Sequence, residues 1–309
     1  MMKRWDVAVA GEIFADHVFS GFARWPGPGE ELCTDNYVRE PGGGTAITAC
    51  ALARLGRKAA IFAVAGREDA WLTERLLRCG VDLASLRLVE QGTAVTVSLS
   101  TKDDRSFFTW PGANRLLNAY LCEEQTINAL TQARHIHFAV ALERPVAQLL
   151  LPQLKQAGCT LSIDPGYHLE WFSQPENQQT CRECDYFLPN FKEGQLLTGG
   201  ADEDAVLQGL TGLGFHTAVL KLGARGAAVR IGGQVHRAQP LAVACVDTTG
   251  AGDAFDAGFL DAVLAGAPLS EAMQRACVCG SLSTRKTGAI AGLPLREEFD
   301  TVYEQFIQL

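Results

Sequence analysis

No apolar run in this sequence approaches the roughly 20 residues that span a bilayer, so a membrane-crossing helix is not expected. Positive charge is also short: 27 Lys and Arg stand against 35 Asp and Glu, a formal net charge of −8. That balance argues against a nucleic-acid backbone or an anionic membrane surface as the main partner. Both common nucleotide cradles are missing. G-x-x-x-x-G-K-[ST] occurs nowhere, and the first strand–helix turn has no G-x-G-x-x-G. Internal repeats, low-complexity tracts and flexible linkers are absent as well. The opening MMKRWDVAVAGE meets an acid at once and runs into a strand, which speaks against a secretory leader and for the cytoplasm. Ten scattered cysteines fit reduced thiols in that compartment. Cys181 and Cys184 form the single C-x-x-C; without a second pair or histidines beside it, two ordinary thiols are the better reading than zinc.

What the sequence does have is apolar content, 47% of 309 residues, enough for a large core. Short apolar runs predict strands at Val7–Ala10, Ala59–Val64, His135–Ala141, Thr160–Asp164, Tyr186–Pro189 and Ala218–Leu222. Helix-periodic segments lie between and after them: Ala46–Leu55, Trp71–Cys79, Leu121–Gln132, Pro145–Gln156, Ala205–Leu213, Ala254–Leu264 and Ser270–Arg285. Unbroken apolar strands alternating with helices predict an α/β fold with a doubly wound, mostly parallel sheet. Two regions break the rhythm: Phe14–Glu40, with turn chemistry at WPGPGEE, and the alternating Thr93–Trp110 around a polar turn at Lys102–Arg105. Both read as antiparallel strands able to pair into a small projecting sheet. A further hairpin, Ala227–His236 with Gly232-Gly233 at its turn, reads as a late addition to the main sheet.

The stretch DTTGAGDAFDAGF begins a helix with its smallest residues. Backbone N–H groups in a first turn lack helical partners, and Gly250, Ala251 and Gly252 leave them bare, as an anion hole requires. Asp253 then adjoins the hole and can take a proton from an attacking hydroxyl. Acids also favour helix starts and glycines also permit close packing, so both readings stand level on this segment alone. Phe255 and Phe259 read as core; Asp256 and Asp261 read as facing solvent or pairing with neighbours. Gly42–Gly44 precede another helix and offer either N–H groups or a tight loop. Asn190 and Glu193 fit a capping box first and an Mg²⁺-orienting pair second. Gly223 and Gly226, after a strand, form a turn on which a flat ligand or phosphate can lie.

Taken together, these motifs resemble the ribokinase-like sugar kinases of the PfkB family over nearly the whole length. They comprise G-E-x-x-x-D at Gly11, Glu12 and Asp16, the glycines before A-L-A-R-L-G, N-x-x-E at Asn190–Glu193, L-G-x-x-G at Leu222–Gly226 and D-T-T-G-A-G-D-A-F at Asp247–Phe255. The resemblance implies one kinase domain over 1–309 that moves a phosphoryl group from ATP, with Mg²⁺, to a sugar-like hydroxyl. It implies Asp253 as base and Gly250, Ala251 and Gly252 as anion hole. Asp16, Gly42, Gly43 and Glu143 fall at substrate positions; Asn190 and Glu193 at Mg²⁺ and phosphate; Lys221, Gly223, Gly226 and Cys277 along the nucleotide. Asp247, Thr249, Ser283, Lys286, Gly288 and Gly292 match a monovalent-cation loop for K⁺, mostly through carbonyl oxygens. Residues of about 14–40 and 93–111 match a lid, whose edges suit a homodimer.

Two positions depart from the family pattern. Ile47 stands where an asparagine often contacts substrate, which argues against plain ribose. Lys221 replaces a frequent threonine and is expected either to add a phosphate contact or to face solvent. Arg24, Arg39 and Arg105 in the lid regions are candidates to meet an anionic substrate, although exposed arginines are usually just solvated. A nucleoside kinase of the same family and a non-catalytic sugar- or nucleotide-binding regulator are the alternatives. An intact Asp253 beside a bare helix start favours turnover over mere binding.

Overall fold

The computed structural model describes residues 3–101, 105–166 and 168–308. In the first strand, β1 (Trp5–Gly11), Val7 and Val9 enter one apolar cluster while Ala8 and Ala10 enter another. That alternation is what a strand covered on both faces requires. The chain leaves for β2 (Phe14–Phe22) and β3 (Asn36–Gly42), then returns through α1 (Gly44–Arg54) to β4 (Ala59–Gly66). It passes α2 (Ala70–Arg78) to β5 (Leu86–Val89) and makes a second excursion through β6 (Val95–Thr101) and β7 (Arg105–Trp110). Next come α3 (Leu117–Leu121), α4 (Glu124–Leu130), β8 (Ala133–Ala139), α5 (Arg144–Gln156) and β9 (Thr160–Ile163). α6 (Leu169–Phe172) and α7 (Pro175–Arg182) precede β10 (Tyr186–Phe187), followed by α8 (Phe191–Thr198) and α9 (Glu203–Gly212). The strands β11 (Val219–Lys221), β12 (Ala227–Ile231) and β13 (Gln234–Ala238) lead to α10 (Ala251–Leu264), α11 (Leu269–Ser283) and α12 (Arg296–Phe306).

Six strands form the main sheet in the order β10-β9-β8-β1-β4-β5, every neighbouring pair parallel. Parallel bridges Phe187–Ala218 and Asn190–Lys221 attach β11, so the β12–β13 hairpin does extend this sheet. The two irregular regions make a separate sheet, β3-β2-β6-β7. It departs from the antiparallel expectation in one respect: β2 and β6, which join the two hairpins, run parallel. The expected turn at Lys102–Arg105 falls largely outside the described residues. The predicted helix at Leu121–Gln132 is interrupted after Leu121, giving α3 and α4.

α10 is buried from Ala254 to Ala262 and lies against α1 and α11. Gly258 permits that closeness, since a Cβ there would stand 2.6 Å from the Cys279 Cβ on α11. Among the described residues no helix is long and apolar enough to cross a membrane.

Candidate active site

Two helices begin side by side at the carboxyl ends of the parallel strands. α10 starts from Gly250, which takes a left-handed φ of 72°, and no side chain caps its first turn. A Cβ on Gly250 would come within 3.0 Å of Ala289 and 3.1 Å of Ile47, so glycine is needed both for the conformation and for the space. Ala251 N–H makes a turn bond to Thr248 O at 3.2 Å, while Gly252 is exposed. α1 starts from Gly43, with φ 84°, and is likewise uncapped by side chains. The Asp253 carboxylate lies between the two helix starts: its Oδ1 is 2.9 Å from where Gly44 would carry a Cβ. Thr48 on α1 donates its hydroxyl to the Asp253 carbonyl at 3.3 Å and so ties the two helices together. Burial, then the neighbouring Asp164 carboxylate, push Asp253 up from 3.8 to about 7, against the opposing pull of Lys221. Helix geometry therefore brings a first turn uncapped by side chains and a carboxyl group titrating near neutrality together at Gly250, Ala251, Gly252 and Asp253.

Lys221 does not face solvent: its ammonium is buried, 2.5 Å from Asp164 Oδ2 and 3.1 Å from Asp256 Oδ1. Of the two alternatives expected for Asp256 and Asp261, solvent or pairing with neighbours, the structure has the pairing. Asp256 has no exposed side-chain surface and pairs with Lys221. Asp261 is enclosed by Arg57 at 2.6 Å and Arg296 at 2.6 Å. Both sit on α10 among apolar residues, where a carboxylate survives only with a buried partner. Carboxylate oxygens of Asp164, Asp253 and Asp256 all lie within 4.8 Å of one another. Asp164, at the end of β9, was not singled out in the sequence. The signal was Lys221 itself, because a lysine closing an apolar strand demands an acid nearby.

The residues expected at the substrate come from the second sheet, the β3–α1 turn, α1 and the start of α5. Asp16 on β2 lies directly over Gly42, where any Cβ would collide with its carboxylate. Burial and then Glu40, its cross-strand neighbour, raise Asp16 to about 7. Ile47 is buried against Gly250 and walls the helix start rather than offering a hydrogen bond. Glu143 is exposed at the N-cap of α5, on a cleft of about 930 Å³ lined also by His168, Trp171, Gln174 and Asn177. This cleft opens just beyond β8, whose last residue, Ala139, packs beside Gly44. Arg24 is spent on Glu30, Arg39 lies over the Trp71 ring at 4.0 Å, and the Arg105 side chain is outside the described residues.

Of the residues expected along the nucleotide, Asn190 and Glu193 form a complete capping box on α8. Asn190 N–H donates to Glu193 Oε2 at 2.8 Å, and Glu193 N–H donates to Asn190 Oδ1 at 3.0 Å. Burial and then Asp164 push the Glu193 carboxyl up to about 7. Gly223 faces open space, whereas Gly226 is held against the Ala238 carbonyl with φ 86°. Cys277 is a buried wall of α11, its thiol pushed up to about 12 by burial. Residues expected to form a cation loop also lie close together. Asp247 Oδ2 accepts from Gly288 N–H at 2.9 Å, Asp247 Oδ1 accepts from Thr249 N–H at 2.9 Å, and Gly292 packs on the Ser283 carbonyl. Lys286 is exposed in the same loop. Glu40, at the end of β3, accepts from Ile290 N–H at 3.4 Å and so links that loop to the second sheet.

A family model described as "pfkB family carbohydrate kinase" matches residues 6–296. The chain belongs to the PfkB family. This PfkB protein is 28% identical over 304 residues to a ribokinase of Haemophilus influenzae, covering 94% of this chain and 96% of the relative. It is 27% identical over 274 residues to a 2-dehydro-3-deoxygluconokinase of Bacillus subtilis, covering 83% and 84%. Among solved structures it resembles Arabidopsis thaliana ribokinase complexed with ribose and ATP, at TM-score 0.84 and 23% identity over 98% of this chain and 99% of that one. A putative ribokinase II of E. coli in complex with ATP and Mg²⁺ superposes with TM-score 0.82 and 22% identity, over 99% and 100%. The family and its named relatives make the protein an ATP-dependent phosphotransferase with an alcohol group as acceptor.

Proposed function

We propose that this PfkB kinase transfers the γ-phosphoryl group of ATP to a hydroxyl of a sugar or sugar derivative, with Asp253 as general base. The position of Asp253 carries the proposal: a carboxyl group titrating near neutrality beside the bare first turn of α10. The acceptor hydroxyl lies between Asp16 and Asp253, over Gly42 and Gly43; it gives its proton to Asp253 as its oxygen attacks the γ-phosphorus and the bond from that phosphorus to the bridging oxygen breaks, releasing ADP. N–H groups of the Gly250–Gly252 turn and the positive end of the α10 dipole oppose the charge that gathers on the transferring group. Gly223, Gly226 and Cys277 border the nucleotide. Mg²⁺, when bound with ATP, neutralises phosphate charge. Asn190 and Glu193 fit a water-mediated hold on it, because their own mutual bonds leave further carboxylate lone pairs available. Asp247, Thr249, Ser283, Lys286, Gly288 and Gly292 offer an oxygen-rich loop for K⁺.

The β3-β2-β6-β7 sheet is proposed as the lid and as a dimer surface. In its register Asp16 and Glu40 share one face, while Phe19, Tyr37, Val97, Phe108 and Trp110 share the other. Tyr37 is 47%, Phe108 60% and Trp110 49% exposed, an apolar face suited to a second copy of the chain.

Replacing Asp253 by Asn tests the base. With an acceptor found by an ADP-release screen over sugars, sugar acids, sugar phosphates and nucleosides, kcat should fall by about two to four orders of magnitude while ATP still binds. In the unaltered enzyme, kcat should rise with pH through about 7, as Asp253 becomes ionised. Turnover within a few-fold of the unaltered enzyme would remove Asp253 from the role.

A further inference from the structure

A buried lysine bridging two carboxylates beside a proposed base does more than satisfy its neighbours. Lys221 Nζ is 2.5 Å from Asp164 Oδ2 and 3.1 Å from Asp256 Oδ1, and 3.6 Å from where Gly252 would carry a Cβ. It therefore sits against the same first turn of α10 that holds Asp253. Many charged or titratable groups face this pocket: Asp16 from β2, His137 from β8, Asp164 after β9, Glu193 from α8, Lys221 from β11, and Asp253 and Asp256 from α10. Five of the seven are carboxyl groups and one is a lysine. His137 is fully buried, with Nε2 unpartnered and 3.9 Å from Asp256. Burial holds its imidazole down at about 4, so it stays neutral and adds no second positive charge.

We propose that Lys221 is a positioning residue of the phosphoryl transfer: its ammonium, locked between Asp164 and Asp256, offsets the carboxylates crowded on Asp253 so that Asp253 is ionised when the acceptor hydroxyl arrives. The role rests on Asp253 being the base. The charges support it. Despite burial, Lys221 holds Asp164 down at about 2, whereas Asp256 is driven well above the carboxylate range, first by burial. With the Lys221 ammonium held between the Asp164 and Asp256 carboxyl groups, Asp253 meets a compensated cluster instead of uncompensated negative charge. Lys221 acts on Asp253 in the same sense, lowering a carboxyl group that burial and Asp164 raise. No new bond is formed or broken by Lys221. It alters which side of its proton equilibrium the base occupies.

The test needs no substrate. Full-length protein labelled with ¹³Cγ-aspartate is titrated by NMR, and the resonance missing in D253N identifies Asp253. Its midpoint near pH 7 should move up by about 1 to 3 pH units in K221M, the effect of losing a close opposite charge. In K221M/D164N, where the anion goes with the cation, the midpoint should return to within about one unit of the unaltered protein. If K221M does not fold, K221Q keeps a hydrogen-bond donor toward Asp164, removes the charge, and carries the same expectation. A midpoint unmoved in folded K221M or K221Q overturns the proposal, as does a double variant as displaced as the single one. Retained turnover in D253N would instead remove the base assignment and leave this titration untouched, so the two failures are distinguishable.

Discussion

At the scale of single residues, Asp253 carries a cost that its proposed chemistry explains. Its carboxyl is raised from 3.8 to about 7, first by burial. The folded state therefore holds a proton that the unfolded chain has already released between those values. Stability from this group is complete below about pH 4, is lost as pH rises toward 7, and stays lost above it. Asp253→Asn removes the charge at every pH. It should raise the melting temperature by about 2 °C or more at pH 8, and by progressively less toward pH 4, in calorimetry of the ligand-free chain. A variant less stable than the original at pH 8 would mean that the carboxylate holds structure together rather than straining it. Much of this residue-level picture was legible in the sequence, because the spacing of Gly250, Gly252 and Asp253 is local. Asp164 and Asp256 were not, since their meaning arises only when β9, β11 and α10 meet. A carboxylate between Phe255 and Phe259 looks ordinary until its lysine is seen beneath it.

At the scale of elements, the two glycines that open α10 differ in kind. Gly250 is fixed by its left-handed φ of 72° and by contacts at 3.0–3.1 Å. Gly252 has no such constraint; a Cβ there would meet nothing nearer than the Lys221 Nζ at 3.6 Å. Gly252→Ala should therefore fold as well as the original, gaining up to about 1 kcal/mol from helix propensity. A methyl group on the bare turn should nonetheless lower kcat by about 10²-fold, as loss of one oxyanion-hole donor does. Unchanged turnover in a folded variant would show that phosphate does not approach this turn. Helix and strand placement was readable wherever the apolar period was strong, as in β1, β4 and α5. It was not read for α7, whose PENQQTCR is polar almost throughout, or for α12, where Phe299, Val302, Tyr303 and Phe306 do keep the helical period. The parallel join of β2 to β6 has no local signal, because it brings together strands more than 70 residues apart.

At the scale of the whole molecule, the second sheet presents Asp16 and Glu40 on one face and an apolar array on the other. If that array seats a second copy, light scattering after size exclusion should give twice the 33.3 kDa chain mass. Phe108→Glu, at a site 60% exposed, should then shift the protein to monomer with little loss of thermal stability. A monomeric unaltered protein at micromolar concentration would dismiss the dimer. The broad architecture was legible because alternation of strands and helices is a global pattern carried by local apolar runs. The identity of the acceptor was not, since the groups proposed to surround it, Asp16, Gly42, Gly43 and Ile47, come from separate elements. Only packing decides which of them reaches a ligand.

Glu40 has a consequence of its own. One end of its strand belongs to the sheet proposed to cover the acceptor, and its carboxylate holds the loop at Ile290 that closes around Asp247 and Gly288. Asp253, the proposed base, and Lys221, by contrast, stand on α10 and β11 within the main sheet's framework. If the proposed roles hold, changes in β2, β3 and the turn at Gly42–Gly43 would alter what the enzyme accepts while leaving the chemistry on α10 in place. Glu40 is the seam along which such changes would have to be coordinated with the distant loop.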